Sequence, residues 1–211
     1  MGLNKGVKGA MGRRKLVSNI DDKIMAEVMR MTMKVGTGLV STKEIAKKLQ
    51  ISEPVIFTHF KTKAELMNAT FLKACEPLKD DQILKVCREK GIWASSEDYR
   101  PALKWALSFK KETVYIHHYL ASSYYDNEVA MRALTPFFKE ARSVLEDLGV
   151  LSNRSNEETD FLLSSYFHSR IDIFNTFIQG RFPMNDNLLA LTTVYLVSGV
   201  FGALGVAKAA K

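Results

Sequence analysis

The fold turns on residues 41–63, STKEIAKKLQISEPVIFTHFKTK. Ser41-Thr42-Lys43-Glu44 has the form of a capping box, in which the Ser41 hydroxyl takes an orphan backbone N–H and Glu44 reaches back. It opens a short helix through Ile45, Ala46 and Leu49. Ile51-Ser52 is a brief break. Ser52 then caps a further helix, with Glu53 in its first turn and Pro54 near the first position, where a missing N–H costs little. That helix runs from Val55 to Phe60. Two short helices joined by a tight turn in a basic segment have the shape of a helix-turn-helix. Such a unit lays one helix end on the phosphates and sets the first turn of the next in the major groove. Lys43, Lys47, Lys48, Lys61 and Lys63 flank it and can neutralise phosphates.

Upstream, Ile24, Val28, Met31 and Val35 recur along one face of a helix, which Gly36 and Gly38 end. Charge follows the same division. Residues 1–63 carry 13 Lys and Arg against 5 Asp and Glu, whereas residues 64–211 carry 17 against 18. The excess positive charge lies in the first third and points to an anionic partner for that part alone. Residues 1–15 are rich in Gly, Lys and Arg and read as a flexible basic arm, whose Arg13, Arg14 and Lys15 could reach a minor groove.

Ile24, Val28, Met31 and Gly36, then Ser41 to Ala46, then Ile51 to Lys63, resemble the N-terminal domain of the TetR family of bacterial transcriptional repressors. The resemblance covers about residues 20–72, and the run ending in His59-Phe60-x-x-Lys63 is its most specific part. It implies a homodimer on palindromic operator DNA, released by a small ligand in the C-terminal domain. It also implies roles for single residues. Ser41 matches the family's cap, and Thr42 and Lys43 match helix-start positions that touch backbone or bases. Ser52, Glu53, Pro54, Val55 and Thr58 fall on the recognition helix, and His59 and Lys63 match phosphate contacts. Phe57 stands where the family usually has Tyr, so a hydroxyl contact to phosphate is lost. Pro54 replaces a common Gly, and Thr32 stands where an aromatic is favoured.

Beyond residue 63 the periodicity stays helical. Segments are expected from Lys63 to Leu72 with Pro77 ending or kinking the first, from Ala102 to Tyr125 with one break, and over 127–148, 156–179 and 186–207. Ser96-Glu97-Asp98 reads as a helix start, and Lys79 to Trp93 has no clear period. The expected fold is all-α, an N-terminal three-helix DNA-binding domain (16–63) followed by a helical ligand-binding and dimerisation domain (64–211). A hydrophobic fraction of 46% and a charged fraction of 25% exclude disorder of the whole chain. Cys75 and Cys87 lack a CxxC spacing, so a disulfide scaffold and a four-cysteine zinc site are not expected, and a cytoplasmic setting fits.

Aromatic residues are dense in the second part. Trp105, Phe109, Tyr119, Tyr124, Phe137, Phe167, His168 and Phe174 are candidates to line a pocket between helices for a small lipophilic or aromatic effector. For each singly, plain core is the commoner role. His168 and Asp172 stand four apart, a possible metal edge, but no third ligand is in register, so no metal and no cofactor is expected. No nucleophile–base pair or phosphate-binding glycine loop supports catalysis. The last two helices are the expected homodimer surface. Residues 188–207 form an uncharged run of 20, long enough to cross a bilayer. A membrane-tethered helical adaptor is therefore the alternative. Its threonines and glycines dilute the hydrophobicity and favour a buried helix without stable membrane association.

Overall fold

The computed structural model describes residues 6–91, 94–149, 151 and 154–199, with side chains from Ile20 to Leu196. The described residues are all-α. The helices are α1 (Gly6–Val35), α2 (Thr42–Leu49), α3 (Glu53–His59), α4 (Lys63–Ala74), α5 (Gln82–Lys90), α6 (Ser96–Ser108), α7 (Lys110–Leu120), α8 (Asn127–Asp147), α9 (Asn156–Ile178) and α10 (Asp186–Thr193). Helical backbone thus extends through residues 6–15, the stretch read as an arm.

The N-terminal head is built on α1. Ile24, Val28 and Met31 are buried as the spacing predicts, but Val35 is 45% exposed, because α1 ends there beyond the helices that cover its face. Gly36 then takes φ +75°, a conformation that favours glycine, and its N–H bonds the Thr32 carbonyl at 2.9 Å. In α2 the Ser41 hydroxyl accepts the Glu44 N–H at 3.3 Å, but only this half of the capping box forms. The turn into α3 is closed by Gln50, left-handed at φ 57°, and by the Ile51 N–H on the Ala46 carbonyl at 3.0 Å. Ser52 holds the cap position of α3 without a side-chain hydrogen bond, contrary to expectation. Pro54, with no N–H to satisfy, and Glu53 start this helix without that cap.

The body follows. The stretch without clear period becomes a 3-10 turn, Glu76–Asp80, begun by Pro77, and then α5, capped by Asp81 through the Leu84 N–H at 2.9 Å. The expected break in 102–125 falls at Phe109, between α6 and α7. Ser95 and Asp98, and Ser155 and Glu158, form reciprocal capping boxes that start α6 and α9. The last helix changes character at Thr193, where a wider π turn, Val194–Gly199, takes over. Thr192 and Thr193 donate their hydroxyls to the Leu188 and Leu189 carbonyls at 2.8 and 3.0 Å and so compete for the acceptors of the regular ladder. Residues 200–207 of the uncharged run lie outside the described residues. No helix among the described residues is long and apolar enough to cross a membrane.

Head and body share a seam along α4 and α7. Tyr115 donates to the Met67 carbonyl and Tyr119 to Asn68 Oδ1, both at 2.8 Å, and Tyr119 stacks on Phe71 with centroids 4.2 Å apart. Burial pushes both phenols above their ordinary pKa, so they stay donors. Deeper in the body, Arg170 and Asp81 form an ion pair, Nη1 to Oδ2 at 2.5 Å, with side chains 3% and 1% exposed. The guanidinium also lies 5.8 Å from the Phe137 ring centroid and 5.4 Å from that of Phe174. Removing one member of such a pair strands a buried charge. Arg170→Met should therefore lower the unfolding free energy in urea by about 3–5 kcal/mol, and Asp81→Asn/Arg170→Met should recover much of that loss.

His118 faces the seam, 3.6 Å from where a Cβ on Gly36 would stand. Burial, and His117 beside it, hold its imidazole below the ordinary pKa of 6.5. The unfolded chain then takes up this proton first as pH falls, so stability present above about pH 6.5 is lost on acidification through the depressed value. The thermal midpoint should drop between about pH 7 and pH 5, and His118→Gln should flatten that drop.

Candidate nucleic-acid interface and effector cavity

The seven residues of α3 are positioned from beneath. Ile56 is fully buried and Phe60 is 6% exposed, and both join the core that Ile24, Val28 and Ile45 also enter. Thr42 donates its hydroxyl to Glu53 Oε1 at 2.5 Å, tying the start of α2 to the start of α3. His59 Nδ1 lies 2.6 Å from Asp21 Oδ1, tying the end of α3 to α1. Just beyond, the Thr62 hydroxyl accepts the Glu65 N–H at 3.0 Å and the Glu65 carboxylate accepts the Lys61 N–H at 2.9 Å. What remains outward is one face of α3, Pro54, Phe57 and Thr58, spaced i, i+3, i+4, with Lys61 exposed just past the extended Phe60 that ends the helix. Phe57 is 40% exposed there. Lys43, Lys47 and Lys48 of α2 are exposed as well.

In the body, a small hollow of about 20 Å³ lies among α4, α6, α7 and α9, with Ala74, Trp105, Phe109, Ile116, Arg170 and Phe174 in its wall. Two larger hollows are open grooves. One of about 590 Å³, between α1, α4 and α8, is rimmed by the charges of Asp21, Asp22, Lys73 and Arg132. The other, about 340 Å³ between α8 and α9, carries Met131, Phe138 and Leu163. Trp105, Phe109 and Phe174 give the smallest of these three hollows aromatic walls, a common character of small-molecule sites. Burial raises the thiol pKa of Cys75, and raises that of Cys87 to about 11, so neither is poised as a nucleophile.

Residues 24–70 match the family model for bacterial regulatory proteins of the tetR family. They form a helix-turn-helix head of the type that family model describes. The whole chain has the fold of TetR family transcription regulators. It superposes on one from Marinobacter aquaeolei VT8 with a TM-score of 0.63 and 19% identity, over 90% of this chain and 97% of that one. A tetR family regulator from Shewanella sp. PV-4 gives 0.62 and 15%, over 87% and 95%. One from Mesorhizobium loti MAFF303099 gives 0.59 and 14%, over 89% and 97%. No curated protein matches the chain in sequence.

Within the TetR-type head, Lys43, Ser52, Pro54, Phe57, Thr58 and Lys61 are exposed, and Ser41, Thr42, Glu53, Val55, His59 and Lys63 are half-buried. Several already have partners. His59 is engaged by Asp21, Thr58 donates to the Pro54 carbonyl at 3.0 Å, and the Lys63 ammonium sits 5.5 Å from the Tyr124 ring centroid. Of the eight pocket candidates, the structure gathers Trp105, Phe109 and Phe174 at the cavity. The other five lie elsewhere. Tyr119 belongs to the head–body seam, Tyr124 lies under Lys63, and Phe137 and Phe167 pack on each other at 5.6 Å. His168 is exposed, with Nδ1 2.8 Å from the Ser164 carbonyl oxygen. Asp172 pairs with His117 at 3.3 Å, not with His168. Arg170 is absent from the sequence expectations, although its helical register with Leu163, Tyr166, Phe167, Ile171 and Phe174, all buried on one face of α9, was the available signal.

Side chains with free reach should carry more of the phosphate contact than those already held. Lys43→Ala and Lys61→Ala should each weaken every DNA sequence alike and lower the log–log salt slope by about one. Lys63→Ala should lower it less, because the Tyr124 ring holds that ammonium; fluorescence anisotropy across a salt series reads all three.

Proposed function

We propose that the chain is a dimeric, ligand-responsive transcriptional regulator acting in the cytoplasm, a repressor released from a palindromic operator by a small lipophilic or aromatic effector. The observation that carries this reading is the outward face Pro54-Phe57-Thr58, with Lys61 just past it, on a helix fixed from below by Ile56. Its first turns face base edges in the major groove, while Lys43, Lys47, Lys48 and Lys61 neutralise phosphates. Phe57 meets its surroundings there by apolar contact, as against a thymine methyl, and Ser41, Thr42, Ser52, Glu53, Val55 and His59 hold or border that surface.

Dimerisation has its own support. Leu191, Val194 and Tyr195 form an exposed apolar strip at i, i+3, i+4 along the last helix, and Phe161 of α9 is 71% exposed. An apolar strip of this kind on a water-facing helix marks a protein contact, and a two-fold pair covers it with its own copy. Coupling runs through α4. It starts at Lys63, beside the recognition helix, and ends at Ala74, in the cavity wall. An effector that prefers one setting of α4, and DNA that prefers another, shift one population against each other.

Selection of bound sequences from random duplex DNA tests the reading directly. The expected winners are palindromes whose half-sites lie one helical turn, ~34–36 Å, or a multiple apart. Leu191→Glu/Tyr195→Lys should sediment as a monomer and lose affinity for the selected site. A chain that enriches no sequence, and retains no duplex even at low ionic strength, is not this regulator.

A further inference from the structure

The helix α3 runs from Glu53 to His59, with Ser52 as its cap residue. None of these residues is Arg, Lys, Asn or Gln. Those four are the side chains that pair bidentately with a purine edge in the major groove, Arg or Lys with guanine and Asn or Gln with adenine. Gln50, the one side-chain amide in residues 41–63, stands in the turn, two residues before the cap. The polar groups that α3 does carry are largely taken. Glu53 Oε1 accepts the Thr42 hydroxyl, His59 Nδ1 lies 2.6 Å from Asp21 Oδ1, and Thr58 donates to the Pro54 carbonyl at 3.0 Å.

What α3 turns to solvent is chiefly apolar. Phe57 is 40% exposed, and Pro54, three residues earlier on the same face, is exposed too. The major groove has one apolar feature that could meet them, the 5-methyl group of thymine. A ring laid on that methyl takes both out of water. The same ring laid on the edge of a guanine or an adenine covers acceptors and donors without replacing their hydrogen bonds. The face therefore favours one kind of base edge by attraction and rejects the others by desolvation.

We infer that each operator half-site is read through pyrimidine 5-methyl groups, supplied by thymine, against Phe57 and Pro54, while the flanking lysines hold the phosphates without regard to sequence. This rests on the DNA-binding reading above and names the class of operator it requires, half-sites with fixed thymines opposite α3.

The test starts from the palindrome that the full chain itself selects. Each thymine is replaced in turn, in both half-sites, by deoxyuridine, which deletes the methyl and leaves base pairing and phosphates intact. Fluorescence anisotropy at one fixed salt concentration reads the affinity. At the contacted positions the replacement should weaken binding about fourfold per half-site, the transfer value of one buried methyl. At the same positions a 5-methylcytosine·guanine pair should bind better than an unmethylated cytosine·guanine pair, because the methyl returns to its place. Phe57→Ala removes an exposed ring and should leave the thermal midpoint unchanged. It should bind the thymine and deoxyuridine duplexes alike at the position the ring covers, and Pro54→Ala should do the same at its own.

The inference is overturned if the selected half-site holds no fixed thymine, or if deoxyuridine is tolerated at every position. It is overturned equally if 5-methylcytosine binds no better than cytosine, or if Phe57→Ala and Pro54→Ala both keep the parent's deoxyuridine penalty. Its failure is distinct from that of the reading beneath it. A chain that selects a palindrome yet tolerates deoxyuridine throughout is still a DNA-binding regulator and loses only this mode of recognition. One that selects no sequence loses both.

Discussion

Everything the head can do depends on burying Ile56. A helix of seven residues is too short to persist by itself, since nucleation costs more than so few backbone bonds return. The fully buried Ile56 and the nearly buried Phe60 each contribute of the order of 1.5–3 kcal/mol and fix the rotation of α3 about its axis. Once Ile56 faces inward, helical geometry leaves Pro54, Phe57 and Thr58 facing outward, with Lys61 exposed just past the end of the helix. The Thr42–Glu53 and His59–Asp21 contacts then fix the two ends. The same contacts restrict what those side chains can offer DNA. Glu53 and His59 turn polar atoms to partners inside the head, and Thr58 donates to the Pro54 carbonyl, so the face offers one aromatic ring, a hydroxyl oxygen as acceptor and the lysines.

The join between head and body is chemically different from either. It is made of tyrosines that combine large apolar area with a hydroxyl on a specific acceptor, Met67 O for Tyr115 and Asn68 Oδ1 for Tyr119. Sliding α4 along α7 would break these bonds in buried surroundings, where an unmade hydrogen bond costs about 1–3 kcal/mol. A seam of this type favours discrete settings over continuous creep, as a switch requires. The 3-10 turn after α4 leads straight to Asp81, which caps α5 and holds Arg170. Head, α4 and Asp81 are therefore consecutive along the chain, and Asp81 carries the connection on to Arg170 of α9.

The head was legible in the sequence because its signals are local. Ser41, Gly36, Pro54 and the spacing of Ile24, Val28 and Met31 act within a turn or two of themselves, and the residues that decide the motif are contiguous. Its finer contacts were not legible. His59 finds Asp21 from 38 positions away in the sequence, and nothing near either residue announces the other. In the body the all-helical character was readable from periodicity, as was the break now seen at Phe109. The division of aromatic rings between core and cavity was not, because a ring at a helical core position looks the same in sequence whether its far side meets another ring or a void. Phe137 and Phe174 show this: both are almost fully buried and both touch Arg170, yet only Phe174 borders the cavity.

The size of the cavity bears on how such a protein would switch. A pocket already open at several hundred cubic ångströms could bind a ligand with little rearrangement, and binding alone would then give little differential between two states. A ligand entering a hollow of about 20 Å³ would instead have to widen it, so part of its binding free energy would go into displacing the walls. Those walls include Ala74, the last residue of α4, and Phe109, the junction of α6 and α7. Close packing resists a partial response, because side chains in contact move together or not at all. On the function proposed above, the narrow state would suit the DNA-bound setting of α4, and the difference in effector affinity between the two settings would be the coupling energy available to act on the head.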